Sequence, residues 1–100
     1  MIKGRSVSTR YVTLHVFPRE DDPEGSPRLG LAVPKTVGTA VERNRLKRRL
    51  REAWHALGDD VPPGRDYVLA ARPGLAAPAE SRGQDWLVKQ VLEAIGKAGA

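Results

Sequence analysis

The stretch from Thr39 to Leu57, TAVERNRLKRRLREAWHAL, carries two patterns at once. Thr39 and Glu42 have the T-x-x-E spacing of a capping box. In that motif the hydroxyl accepts a free N–H of the first turn and the carboxylate reaches back to the cap residue. Behind them Leu46, Leu50, Ala53, Trp54 and Leu57 recur at the spacing of one apolar helical stripe, and Gly58 is placed to end the run. The spacing predicts an amphipathic helix whose stripe faces a sheet. The second pattern is charge: six Lys and Arg fall within nine positions, Arg43 to Arg51. At about 100° per residue, Arg43, Lys47 and Arg51 descend one flank, Arg45 and Arg49 the other, with Asn44 and Arg48 between. Three like-charge i,i+4 pairs result, costing the free helix on the order of 1 kcal/mol at ~0.2–0.5 kcal/mol each. Arg48–Glu52 and Arg49–Glu52 are spaced to recover part of that.

Working outward, RYVTLHVF (Arg10 to Phe17) alternates, with Val12, Leu14 and Val16 on one side and Tyr11, Thr13, His15 and Phe17 on the other. It reads as a strand with one buried face. PREDDPEGSP follows as an exposed loop. RLGLAV is a second strand, expected to pair with the first as an antiparallel hairpin. DYVLAA, Asp66 to Ala71, is a third strand ended by RPG, and KGRSV offers a short edge strand. A second helix is expected from about Ser81 to Ala98, packing through Leu87, Val88, Val91, Leu92 and Ile95, with GDDVPPG and RPGLAAPAES as connectors.

One hundred residues is the length of a single domain, residues 1–100. The absence of Cys excludes disulfides and thiolate metal sites. No apolar run approaches the ~20 residues that span a bilayer, and the start has no secretory signal pattern, so a soluble cytoplasmic chain is expected. The formal charge of +5 is concentrated. Residues 35–51 hold seven basic side chains against one acidic, leaving ten basic and eleven acidic elsewhere. Such a focused patch gathers anions.

Two readings of the basic helix stand, a solvated face or a polyanion surface. The arginine-heavy mix favours the second, because the planar guanidinium fork suits phosphate oxygens and base edges, whereas solubility is served as well by Lys or Glu. His15 and Tyr11 belong either to a half-exposed sheet face or to a platform for an unpaired nucleotide strand. Trp54 and Trp86 read as core. Glu20 to Asp22 read as a solvated acidic loop, and His15 and His55 lack metal-ligand spacing. No nucleophile with its base and no phosphate-binding glycine loop is present, so a protein-borne active site is not expected.

The run RLGLAVPKTVGTAVERNRLKRRLREAW, followed by RDYVLAARPG, strongly resembles the protein component of bacterial ribonuclease P. The signature is Arg43-Asn44-Arg45, then Lys47-Arg48 and Arg51-Glu52-Ala53; GRSVSTRYVTLHV also resembles that family's first long strand. The resemblance covers nearly the whole chain and is weakest after Pro78. It implies an α+β fold: an α-β sandwich with a mixed four-stranded sheet, similar to one domain of a ribosomal protein, with the basic helix in a left-handed β-α-β crossover. It implies a partner, a large catalytic RNA that removes the 5′ leader from precursor tRNA with Mg2+ held mainly by the RNA. It also implies residue roles. Lys35, Arg43, Asn44, Arg45, Lys47, Arg48, Arg49 and Arg51 would touch the catalytic RNA, while Arg10, Tyr11, Thr13 and His15 would border the leader cleft. The protein is expected to be monomeric within the ribonucleoprotein.

Two departures from the family pattern stand out. Members usually begin with a basic segment and a short aromatic-bearing helix, and here MIKGRSV begins where that helix should be ending, so weaker leader contact is expected. Pro34 and Thr36 flank Lys35 where Ser and Lys are common, one positive charge fewer at the helix entrance. The rival readings are a general RNA-binding or ribosome-associated module of the same fold, and a self-contained nuclease using the Glu20–Glu24 acids.

Overall fold

The capping box forms as its spacing predicts. In a computed structural model describing residues 4–22 and 24–99, the Thr39 hydroxyl accepts the Glu42 N–H at 3.2 Å. Glu42 Oε1 accepts the Thr39 N–H at 3.0 Å. Helix α1 then runs Ala40–Leu57 and stops at Gly58, whose φ of 53° and ψ of −120° form a backbone conformation that glycine adopts without a Cβ clash. Leu46, Leu50, Ala53, Trp54 and Leu57, the five residues of the stripe, are its buried residues. Thr39→Ala should lower stability by about 1 kcal/mol in urea unfolding at neutral pH.

The box is also acid-sensitive. Glu42 is held below the ordinary carboxylate range by the Thr39 backbone N–H first and the Thr39 side chain next, with Arg45 adding a smaller pull. A depressed folded pKa stabilises in full above the unfolded value, and that contribution is lost as pH falls through the folded one. The stability gap between the native chain and Glu42→Gln should therefore shrink as pH drops through and below the ordinary carboxylate range.

Four strands, β1 (Arg5–Ser8), β2 (Val12–Pro18), β3 (Arg28–Ala32) and β4 (Arg65–Ala71), form one mixed sheet in the order β1-β2-β4-β3. β2 pairs antiparallel with β1 and β4, and β3 pairs parallel with β4. The expected β2–β3 hairpin therefore does not form. β4 inserts between the two strands, because parallel neighbours need a long crossover and α1 supplies it between β3 and β4. The edge strand read in KGRSV is β1, with Lys3 outside the described residues.

Helix α2 spans Ala76–Lys97, starting earlier than expected. RPGLAAPAES is a short 310 turn, Pro73–Leu75, followed by the helix's first segment. The two segments meet at Gly83, where φ 82° and ψ 177° break the helical path. Beyond the kink Leu87, Val91, Ala94 and Ile95 are buried, whereas Leu92 is 42% exposed, a correction to the expected packing face.

The helices cover one face of the sheet. Val12, Leu14 and Val16 of β2 and Tyr67, Leu69 and Ala71 of β4 are 4% exposed or less, under the α1 stripe and the buried side of α2. Trp54 packs edge-on to Tyr67 with ring centroids 5.0 Å apart. The Tyr67 hydroxyl donates to the Pro62 carbonyl at 3.1 Å, as a buried phenol must find an acceptor. Among the described residues no helix is long and apolar enough to cross a membrane.

Candidate nucleic-acid interface

Packing against α2 divides the six basic side chains of α1 into two classes. On the flank facing α2, Arg49 Nε donates to Gln84 Oε1 at 3.1 Å and Arg49 Nη1 donates to the Ala79 carbonyl at 2.5 Å. Gln84 Nε2 donates back to the Arg49 carbonyl at 2.8 Å. Ala79 lies in the last turn before the Gly83 break, where a helix end leaves carbonyls without helical partners and carries a partial negative charge. The Arg49 guanidinium meets both needs. One turn earlier Arg45 pairs with Glu80 at 3.1 Å, with both side chains about 60% exposed. Such a pair is weak in water and can open.

The flank turned away from α2 is different. Arg43, Lys47, Arg48 and Arg51 have no carboxylate within 4.0 Å among the described residues, so the Arg48–Glu52 and Arg49–Glu52 pairings expected from spacing do not form. Arg43 is half-buried, and its Nε is buried without a hydrogen-bond partner among those residues. Asn44, Arg48 and Arg51 are exposed, Lys47 is half-buried, and Lys35 is exposed in the 310 turn Lys35–Val37 that leads into the helix. The repulsion read from the sequence is thus relieved at two of the six charges by α2 and left standing at the other four. Val41, 69% exposed in the first turn, adds an apolar contact point. It lies off the apolar stripe, and only that mismatch could have singled it out.

The second candidate surface lies on the sheet face without helices. Thr13 and His15 of β2 stand in register with Ser8 and Ser6 of β1 and with Ala70 and Val68 of β4. All of β2's outward residues there, Phe17 included, are half-buried. The Thr13 and Ser8 hydroxyls lie 3.0 Å apart. Phe17 and Val68 join this face as apolar members; the alternation of β4 hinted at Val68, but not which strand lay beside it. Tyr11 is not brought here. The chain bends before Val12, and Tyr11 instead meets Trp86 of α2, edge-on with centroids 5.0 Å apart. Trp86 is half-buried rather than core. Basic helix and open face thus occupy opposite layers of the sandwich.

The acids Glu20, Asp21, Asp22 and Glu24 sit in the exposed turn between β2 and β3. No three carboxylate, histidine or cysteine side chains converge among the described residues.

Known proteins similar to this chain belong to one family. The family pattern described as Ribonuclease P matches residues 1–98. A "Ribonuclease P protein component" from Mycobacterium sp. (strain KMS) is 45% identical over 80 residues, 80% of this chain and 67% of that protein. One from Rhodococcus opacus (strain B4) is 46% identical over 84 residues, 80% of this chain and 66% of that protein. The matched stretch is thus about two thirds of each relative's own length. Among solved structures, the RNase P protein from Thermotoga maritima superposes with a TM-score of 0.83 at 25% identity, covering 95% of this chain and 84% of that one.

Proposed function

Since the chain belongs to the ribonuclease P protein family, we propose that it is the RNA-binding protein subunit of a ribonuclease P ribonucleoprotein, working in cytoplasmic tRNA processing as a single copy per complex. The observation that carries the reading is the unpaired cationic flank of α1, where Arg43, Lys47, Arg48 and Arg51 have no acidic partner among the described residues. A phosphate backbone supplies what they lack. Asn44, which both donates and accepts, suits a sugar or base edge beside them.

The hydrolytic chemistry belongs, on this reading, to the RNA and to the magnesium ions it holds, and this chain's side chains bind and orient. The open face supports a place for the single-stranded 5′ leader. Its half-buried Phe17, His15 and Thr13 offer a ring, an imidazole and a hydroxyl to splayed bases rather than to a duplex. Arg45, exposed beside Glu80, can exchange its carboxylate for a phosphate, whereas Arg49 is committed to α2.

Reconstitution with ribonuclease P RNA at low magnesium tests the proposal. Cleavage of precursor tRNA should be stimulated by the protein. Binding without stimulation would instead favour a general RNA-binding module, and cleavage by the protein alone, lost on changing Asp21 and Asp22, would favour a nuclease.

A further inference from the structure

A second cationic cluster, separate from α1 and from the open face, is built where β2 begins. The Thr9 side chain is buried, and its hydroxyl accepts the N–H groups of Tyr11 at 3.3 Å and Val12 at 3.2 Å. The Thr9 N–H donates to the Val12 carbonyl at 2.8 Å. From the end of β4, Arg72 donates through its side chain to the Thr9 carbonyl at 2.8 Å and through its backbone to the Tyr11 carbonyl at 2.9 Å. The bend is therefore held on both sides before anything binds to it.

What it presents is a pair of half-exposed rings bracketed by guanidinium groups. The Arg10 guanidinium lies 5.5 Å from the Tyr11 ring centroid, and that of Arg82 lies 5.9 Å from the Trp86 centroid. Arg10, Arg72 and Arg82 are exposed, and none lies within 4.0 Å of a carboxylate among the described residues. Packing explains the buried parts of Tyr11 and Trp86, and Arg72 is tied to the Thr9 carbonyl, but neither accounts for Arg10 and Arg82 standing beside the rings without an acidic partner. Aromatic rings that stack with a base, beside cations that hold its phosphate, are the arrangement by which proteins take unpaired nucleic acid. A rigid bend lowers the ordering cost of doing so.

We propose that Arg10, Tyr11, Arg82 and Trp86, on and beside the bend that Arg72 ties down, form a second RNA contact, which receives an unpaired nucleotide by stacking on the half-exposed rings. The proposal rests on the RNA-binding reading above and adds a site to it. Trp54 is buried and Trp86 half-exposed, so intrinsic fluorescence reports the site. Titration of the intact protein with a short oligoadenylate should quench emission. Arg82→Gln should weaken that binding about fivefold or more, as expected when a stacked base loses its support, and Trp86→Leu should abolish the quench, while ribonuclease P RNA still binds through α1 in both variants. Emission unchanged by the oligonucleotide overturns the proposal. So does equal oligonucleotide affinity in Arg82→Gln, or loss of oligonucleotide binding only when Arg48 and Arg51 are replaced. If ribonuclease P RNA itself fails to bind the native protein, the underlying reading is what fails. In the assembled complex, a Trp86→Leu defect confined to precursors with long leaders assigns the nucleotide to the leader; a defect independent of leader length assigns it to the catalytic RNA.

Discussion

Replacing Lys47, Arg48 and Arg51 together with Gln should flatten the dependence of log affinity on log salt by about 2 to 3 when ribonuclease P RNA is bound. Each phosphate contact releases counterions worth roughly 0.7–0.9 in that slope. Extrapolated from a common value near 1 M, a change of that size is a loss of roughly a hundredfold to several hundredfold at 0.1 M salt. The fold should survive, because none of the three has an intramolecular ion pair to lose among the described residues. Removing the Lys47–Arg51 repulsion even returns a few tenths of a kcal/mol to the helix. A filter-binding series across salt concentrations measures the slope, and thermal unfolding checks the fold. If the slope stays put, this flank faces water in the complex and the carrying observation of the functional reading is lost.

Arg49→Ala should do the reverse. It removes the donors to Gln84 and to the Ala79 carbonyl and leaves Gln84 with one bond instead of two. Hydrogen bonds from a charged group are worth ~1.5–3 kcal/mol each. Partial exposure of Arg49 lets water replace some of that, so a destabilisation of about 2–3 kcal/mol is expected. For a chain of this size it lowers the melting temperature by roughly 10–20 °C. The salt slope for RNA should hold, since this guanidinium is already occupied. A variant as stable as the native chain but with a flatter slope would move Arg49 from the helix interface to the RNA.

These two outcomes mark a boundary between neighbours in sequence. Arg48 and Arg49 are chemically identical, adjacent and in one basic run, yet one is exposed and the other is tied to α2. Helical spacing placed them on different sides of the cylinder, but nothing local says that α2 lies along the Arg49 flank. Tyr11 went the same way. The alternation of RYVTLHVF put it with Thr13 and His15, and the bend held by Thr9 and Arg72 put it against Trp86. The family signature, by contrast, was plain from the order of residues, because Arg43-Asn44-Arg45 and its sequel are contiguous on one helix.

What the sequence by itself determined was whatever depends on neighbours a few residues apart. The capping box, the apolar stripe, the alternation of β2 and β4 and the concentration of charge in residues 35–51 all follow from local geometry, and all are present in the fold. Only the tertiary structure decided which strand lies beside which, where α2 breaks, and which arginines stay free. Strand order depends on pairings between residues some forty to sixty apart, and the same alternating pattern satisfies a hairpin or a crossover equally well. A cation's availability depends in turn on which carbonyls and carboxylates the folded chain brings to it, and that is not a property of the helix that carries it.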